Sequence, residues 1–177
     1  MHQQRVIDKI TDILGATEST YDEKLTAMLD KAKRIFISGA GRSKLVGNFF
    51  AMRLVHSGYD VSVVGEIVTP SIRAGDLLII ISGSGETEQL IAFTNSAKKI
   101  GADIMLISSK AKSTIGELAD GVFQIGSEEK YEKVQGMPMG TVFELSTLIF
   151  LESTVAHIIQ EKGIAEEEMR ERHANLE

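Results

Sequence analysis

The sequence predicts an α/β domain: a five-stranded parallel sheet with helices on both faces, doubly wound, and further helices at both ends of the chain. Short runs rich in Ile, Val and Leu recur along the chain, and stretches with apolar residues spaced by threes and fours separate them. Strands that alternate with helices in this way form a parallel sheet. A length of 177 residues suits one domain, so residues 1–177 are predicted to be a single unit.

The first predicted element is helical. Apolar residues between Val6 and Leu29 follow the spacing of one helix face, and Gly15 can divide this stretch into two helices. The domain is therefore expected to have an N-terminal helical segment at about 1–32, an α/β core at about 33–162 and a C-terminal tail at 163–177.

Five β-rich runs predict the strands of the core. The third contains the sequence LLIII, which lacks the apolar/polar alternation of a half-exposed strand and is predicted to be the middle strand. The predicted strands are 34–38, 60–64, 77–82, 103–107 and 121–125, and the helices between them are 44–56, 86–100 and 113–119.

A polar loop over 126–140 follows the fifth strand and leads into a long helix predicted over 141–162. Gly163 is expected to cap that helix, and the highly charged segment 164–177 ends the sequence.

Composition excludes several classes of protein. With 25 acidic and 19 basic residues the net charge is -6, which argues against a nucleic-acid or anionic-membrane partner. The absence of cysteine excludes disulfides, thiolate metal sites and cysteine nucleophiles. Charged residues interrupt the first helix, and no apolar run approaches the ~18 residues of a membrane span. We expect a soluble, cytoplasmic protein.

Two loops rich in Gly and Ser follow the first and third predicted strands. They are SGAGRS at 38–43 and SGSGET at 82–87. Each combines glycines, hydroxyls and a helix N-terminus, which together can cradle a phosphate. Either loop alone could be a plain turn and cap, but two at corresponding strand ends favour an anionic ligand.

A dinucleotide site is the weaker interpretation of the first loop. Lys44 occupies the position of the third glycine of G-x-G-x-x-G, although Glu66 lies near where a ribose-binding acid could stand. The Walker A pattern is absent from the sequence. A phosphorylated small molecule is therefore the expected ligand.

The motifs GAGRS and ISGSGET resemble those of the SIS domain, found in phosphosugar isomerases and phosphosugar-binding regulators. More narrowly, FAMRLVHSG at 50–58, PMGTVFE at 138–144 and RHANLE at 172–177 are similar to the 6-phospho-3-hexuloisomerase family. That resemblance implies interconversion of arabino-3-hexulose 6-phosphate and fructose 6-phosphate in the ribulose monophosphate route of formaldehyde assimilation. A non-catalytic phosphosugar sensor and isomerases of other phosphosugars remain alternatives, although no basic helix-turn-helix segment accompanies the domain.

The resemblance also implies which residues bind the phosphate. The two loops would use neutral hydroxyls and close backbone approach, and one arginine would add charge. These residues are Gly41, Arg42, Ser43, Ser82, Gly83, Ser84 and Thr87.

Isomerisation of a 3-ketose to a 2-ketose needs a base at C2 and a group that moves protons between oxygens, but no metal or organic cofactor. Glu144 and Glu152 interrupt the apolar helix 141–162, so both are expected to be desolvated, a setting that raises a carboxyl pKa. Eight residues place them about 12 Å apart along the axis, so only one can reach C2. Glu144, expected in the second turn near the ligand edge, is the predicted base; Glu152 is the alternative, and a structural ion pair is possible for either.

The four histidines form no close pair in the sequence, so no metal site is predicted. His56 is expected to pack at a helix end, His157 to be structural or exposed, and His2 to be disordered. His173 lies within RHANLE, and the SIS resemblance implies that it can reach a neighbouring subunit's active site. The apolar surface of the first and last helices exceeds what one small sheet covers, so a homo-oligomer is expected, either a dimer or a homotetramer.

Overall fold

The computed structural model describes residues 1–132 and 136–176, and its strands form one parallel sheet in the order β2-β1-β3-β4-β5. The central strand is the LLIII run, as predicted, and all five of its residues are buried. Five of the five predicted strands are present, with ends that differ by one residue at most. The strands are β1 Ile35–Gly39, β2 Val61–Val63, β3 Leu77–Ile81, β4 Asp103–Ser108 and β5 Gly121–Gln124.

Helices cover both faces of the sheet, which confirms the doubly wound α/β fold. Alternate strand residues enter two separate apolar layers: α1, α2, α3 and α7 pack on one face, and α4 and α5 pack on the other. The helices are α1 His2–Leu14, α2 Tyr21–Lys31, α3 Gly41–His56, α4 Glu88–Ile100, α5 Thr114–Leu118, α6 Glu128–Glu132, α7 Thr141–Lys162 and α8 Glu166–Glu171.

Four helices differ from the sequence prediction by two residues or more, and one of them, α4, begins at Glu88 and not at residue 86. Helix α3 begins at Gly41, three residues early, because the strand turns into the helix through Ala40 alone. The short helices α6 and α8 lie in the predicted polar loop and charged tail. Both begin with glutamates, which suit a helix N-terminus, but neither has the apolar stripe that predicts a helix. Residues 133–135 of the predicted loop and the last residue of RHANLE lie outside the described residues.

Helix α7 has the predicted bounds and ends at Gly163 in the left-handed conformation, with φ 62°. Its length and composition would allow it to cross a membrane, so the expectation that no segment qualifies needs correction. However, 56% of its most apolar window is buried, and the helix packs against α1, α2 and α3. Helix α7 therefore lies in the core of this fold, and core helices pass the same test.

Candidate active site

The strand order reverses between β1 and β3, so the two Gly/Ser-rich loops meet at the carboxyl edge of the sheet. In open parallel sheets this switch point is where ligands bind. The first predicted loop is shorter than expected, since its residues divide between the end of β1 and the first turn of α3. The second loop connects β3 to α4 as predicted.

The first turn of α3 contains Gly41, Arg42 and Ser43. Its N-cap residue is Ala40, and no side chain caps the helix, so the first N–H groups of α3 remain available to an anion. A side chain built at Gly41 would meet nothing within 4 Å, so there is open space over this turn.

The second loop is held in shape by its own serines. Ser82 Oγ accepts a hydrogen bond from the Gly85 N–H at 3.1 Å, and Ser84 Oγ accepts one from the Glu86 N–H at 3.2 Å. Thr87 is the N-cap residue of α4 but makes no capping hydrogen bond with its side chain, so the N-terminus of α4 is also available.

Gly85 sets the path of this loop. Its φ is 67°, a conformation that disfavours other residues, and a Cβ at this position would lie 2.1 Å from Ser113 Oγ. The loop therefore lies directly against the start of α5, and no larger residue fits at Gly85.

Three residues that the sequence analysis did not identify support the second loop. The Ser108 and Ser109 hydroxyls both donate to the Gly83 carbonyl oxygen, at 3.1 and 2.7 Å. The Phe143 ring packs on Gly83, where a Cβ would lie 3.1 Å from Phe143 Cδ1. The sequence did contain a signal for the two serines. Ser108 and Ser109 follow the fourth predicted strand, just as hydroxyl residues follow the first and third predicted strands.

Glu86 ties the second loop to α5. Its carboxylate accepts hydrogen bonds from the Thr114 N–H at 2.8 Å and from the Thr114 hydroxyl at 2.7 Å. These two bonds stabilise the charged form and lower the pKa of Glu86 below its ordinary value.

Glu144 lies at the same edge of the sheet as the two loops. It occupies the first turn of α7, not the second, and only 8% of the residue is exposed, so the predicted desolvation is confirmed. Its Oε2 atom lies 2.5 Å from Arg42 Nε, and the Arg42 side chain is 65% exposed. An ion pair thus joins the predicted base to a predicted phosphate-binding residue.

Glu152 has a different environment. Its carboxylate pairs with Arg53 at 3.1 Å, and 37% of its side chain is exposed, so the predicted desolvation is wrong for this residue. Of the apolar neighbours of Glu152 along α7, Val155 is buried but Ile149 is exposed, and the carboxylate pairs with Arg53 of α3. Helices α3 and α7 run in the same direction. The Arg53–Glu152 pair therefore lies about 12 Å further toward the C-terminal end of α7 than the Arg42–Glu144 pair.

The histidines do not all follow the prediction. The imidazoles of His56 and His173 stack with centroids 5.0 Å apart, a proximity in space that their sequence spacing did not predict. His56 is buried at the end of α3, as expected, but His2 lies in the ordered first turn of α1, where disorder was predicted. His157 is half-buried and lies 3.5 Å from Glu161.

His173 does not reach Glu144 of its own chain. Arg42 and His56 are fourteen residues apart on α3, so about 21 Å of helix separates the two edges of the sheet. Across residues 1–132 and 136–176, no group of three or more His, Asp or Glu side chains is placed to hold a metal ion.

The two residues on which the dinucleotide interpretation depended, one against it and one for it, pair with each other. Lys44 Nζ lies 3.3 Å from Glu66 Oε1, beside the first loop. The glutamate that could have contacted a ribose therefore forms an ion pair with the lysine that interrupts the fingerprint.

The site lies at the switch point of a doubly wound α/β domain, and the SIS domain family matches residues 28–152. The chain is 55% identical to a 3-hexulose-6-phosphate isomerase of Methylomonas aminofaciens, over 99% of this chain and 98% of that one. It is 38% identical to the Bacillus subtilis enzyme of the same name, over 88% and 86%. A crystal structure from Methanococcus jannaschii, for which the same function was inferred, is 36% identical over all of both chains, with a TM-score of 0.86.

The chain therefore belongs to the SIS domain family and, within it, to the 3-hexulose-6-phosphate isomerases, an equivalent name for the 6-phospho-3-hexuloisomerases. The resemblance read from its motifs is confirmed. The names of these relatives favour an isomerase over a sensor or a dinucleotide-binding oxidoreductase.

Proposed function

We propose that this protein interconverts arabino-3-hexulose 6-phosphate and fructose 6-phosphate, as a cytoplasmic enzyme of the ribulose monophosphate route of formaldehyde assimilation. The observation that carries this proposal is the position of Glu144, a buried carboxylate at the switch point between two loops suited to phosphate.

The substrate's phosphate binds at the two loops. Ser43, Ser84 and Thr87 offer hydroxyls, and the N-termini of α3 and α4 offer N–H groups that no side chain caps. Ser82 stands beneath the loop and holds the turn around Gly85. The loops can therefore bind a dianion with neutral donors and helix dipoles, and Arg42 is the one cation within this set.

Glu144 removes the proton from C2 of the 3-ketose. The C2–H electron pair then forms a C2=C3 double bond, and the C3 oxygen becomes an enediolate oxygen. Return of a proton to C3, with loss of the hydroxyl proton at C2, leaves a carbonyl at C2. No atoms are gained or lost, so one base and one group that moves protons between oxygens suffice.

A second copy of the chain completes the site. Four large apolar side chains form an exposed stripe on α3, and Ile149 of α7 is exposed beside them; the four are Leu45, Phe49, Met52 and Val55. A stripe of this kind favours a homo-oligomeric interface. His173 is too far from Glu144 of its own chain, so its proposed role as a proton carrier requires a neighbour's site, within a dimer or tetramer.

The direct test is to incubate the purified protein with fructose 6-phosphate in D₂O and follow the C3 hydrogen by NMR. Deuterium at C3, together with a new 3-ketose signal, is the expected result. Binding without exchange would leave a phosphosugar sensor as the function. Size-exclusion chromatography with light scattering, compared for wild type and Met52→Glu, tests the interface, and the variant is expected to dissociate.

A further inference from the structure

Glu144 is paired in this structure through one of its carboxylate oxygens, and the other lies near the backbone of Gly140. Oε2 accepts the Arg42 Nε–H at 2.5 Å. Oε1 lies over the helix N-cap residue, so close that a Cβ on Gly140 would be 2.6 Å from it. While this ion pair persists, Oε2 is engaged by Arg42 and is not free to take a proton from a C–H bond of a substrate.

Arg42 holds Glu144 through only one of its donors. Within residues 1–132 and 136–176, Glu144 is the partner of the Arg42 guanidinium, and the contact uses Nε alone. The two terminal NH₂ groups, with four N–H bonds, belong to a side chain that is 65% exposed. A guanidinium of this kind can turn toward a phosphate and bind it with two parallel hydrogen bonds.

We propose that Arg42 is a phosphate-triggered latch: it holds Glu144 in the empty enzyme, and the substrate's phosphate draws it away so that Glu144 is released for C2. This inference rests on the proposed function. The two contacts compete because Arg42 lies in the first turn of α3, between the phosphate loops and the first turn of α7. Departure of Arg42 frees Oε2, so the same event that binds the phosphate also makes the base available.

The latch predicts that the phosphate does more than anchor the sugar. Part of the binding energy of the phosphate is used to separate Arg42 from Glu144. When a sugar without phosphate binds, Glu144 therefore stays paired with Arg42. A free dianion in the phosphate site, one that is not bonded to the sugar, should also separate Arg42 from Glu144.

The test measures deuterium exchange at C3 of unphosphorylated D-fructose in D₂O, with and without inorganic phosphite. We expect phosphite to raise the exchange rate of the wild type by roughly ten- to a hundredfold, the range that one charge-assisted hydrogen bond corresponds to. In Arg42→Gln the latch is absent, so exchange without phosphite should exceed that of the wild type, and phosphite should add little. A residue that only binds phosphate would not raise the exchange rate when removed.

Lys44→Gln is the matched control, because it removes one positive charge from the same helix turn without touching Glu144. It should keep the phosphite activation. Absence of activation in a wild type that isomerises fructose 6-phosphate would overturn the latch and leave the isomerase intact, as would an Arg42→Gln protein with slower exchange of fructose. Failure to isomerise fructose 6-phosphate would overturn the proposed function, and the latch with it.

Discussion

The imidazole of His173 stacks on that of His56, with ring planes 29° apart, at the end of α3 opposite to Glu144. Arg172 fixes this arrangement, since its Nη1 group donates to the His56 carbonyl oxygen at 3.0 Å and its guanidinium lies beside Gly58. Arg172 and His173, at the start of the RHANLE motif, thus lie at the amino edge of their own sheet. On the proposed mechanism, a contact between His173 and the base Glu144 therefore requires another copy of the chain.

Mixed oligomers test this arrangement. His173→Ala is expected to lose less activity than Glu144→Gln, and each variant alone should have a low activity. After subunit exchange, hybrids contain some sites with a wild-type His173 from one subunit and a wild-type Glu144 from another, so part of the activity should return. Native mass spectrometry confirms that hybrids have formed. Hybrids that stay as inactive as their parents would show that His173 does not act across an interface.

Removal of hydroxyls from the loops should weaken substrate binding. Ser84→Ala and Thr87→Val each remove a proposed donor to the phosphate dianion, so KM should rise by roughly ten- to a hundredfold, as expected for ~1.5–3 kcal/mol per hydrogen bond to a charged group. Ser96→Ala is the control, because its hydroxyl lies further along α4 and bonds only to its own helix. KM values that match the control would remove these residues from the phosphate site.

The bonds from Thr114 to Glu86 predict a pH dependence of stability. Because the folded-state pKa of Glu86 lies below the ordinary value of 4.5, this stabilisation is present above about pH 4.5 and is lost as the pH falls. Glu86→Gln should lower Tm at pH 7 and have a smaller effect at pH 3.5. Thr114→Val, which removes the donor hydroxyl, should show the same trend. A constant Tm difference for Glu86→Gln across this range would contradict the assignment.

Two buried threonines on α7 provide a matched pair for stability. The Thr147 hydroxyl has no hydrogen-bond partner among the described residues, whereas the Thr154 hydroxyl can donate to either of two acceptors, Asp22 Oδ1 at 3.0 Å or the Phe150 carbonyl oxygen at 3.1 Å. An unpaired buried hydroxyl costs ~1–3 kcal/mol, so Thr147→Val should raise the free energy of unfolding by about 1 kcal/mol. Thr154→Val should lower it by a similar amount. Urea denaturation measures both, and destabilisation by Thr147→Val would show that its hydroxyl is bonded.

Most of the fold could be predicted from apolar patterns. Burial explains both the unbroken LLIII run of β3 and the apolar residues around most of α7. Both elements lie at the positions that their apolar patterns predict. The short helices α6 and α8 could not be predicted, because charged sequences of five and six residues carry no periodic signal.

The site was predictable in part, for a physical reason. Hydroxyls and glycines at strand ends have a local sequence signal, so the two loops could be identified. Contacts between distant segments have no such signal: Arg42 and Glu144 are 102 residues apart, and nothing in either neighbourhood predicts their pair. The same holds for Phe143 on Gly83 and for the stack of His56 and His173.

The most direct test of the account compares two glutamates of one helix, Glu144→Gln and Glu152→Gln. Each change keeps the side-chain shape, removes one charge and breaks one ion pair with an arginine, so general effects on α7 are matched. The measurement is kcat for isomerisation, with substrate binding and Tm as controls of integrity. Loss of a catalytic base typically costs ~10² to 10⁴ in rate, so Glu144→Gln should lose that much kcat while it still binds substrate, and Glu152→Gln should lose far less. Full activity in Glu144→Gln, together with collapse of kcat in a well-folded Glu152→Gln, would contradict the account and assign the proton transfer to the deeper carboxylate.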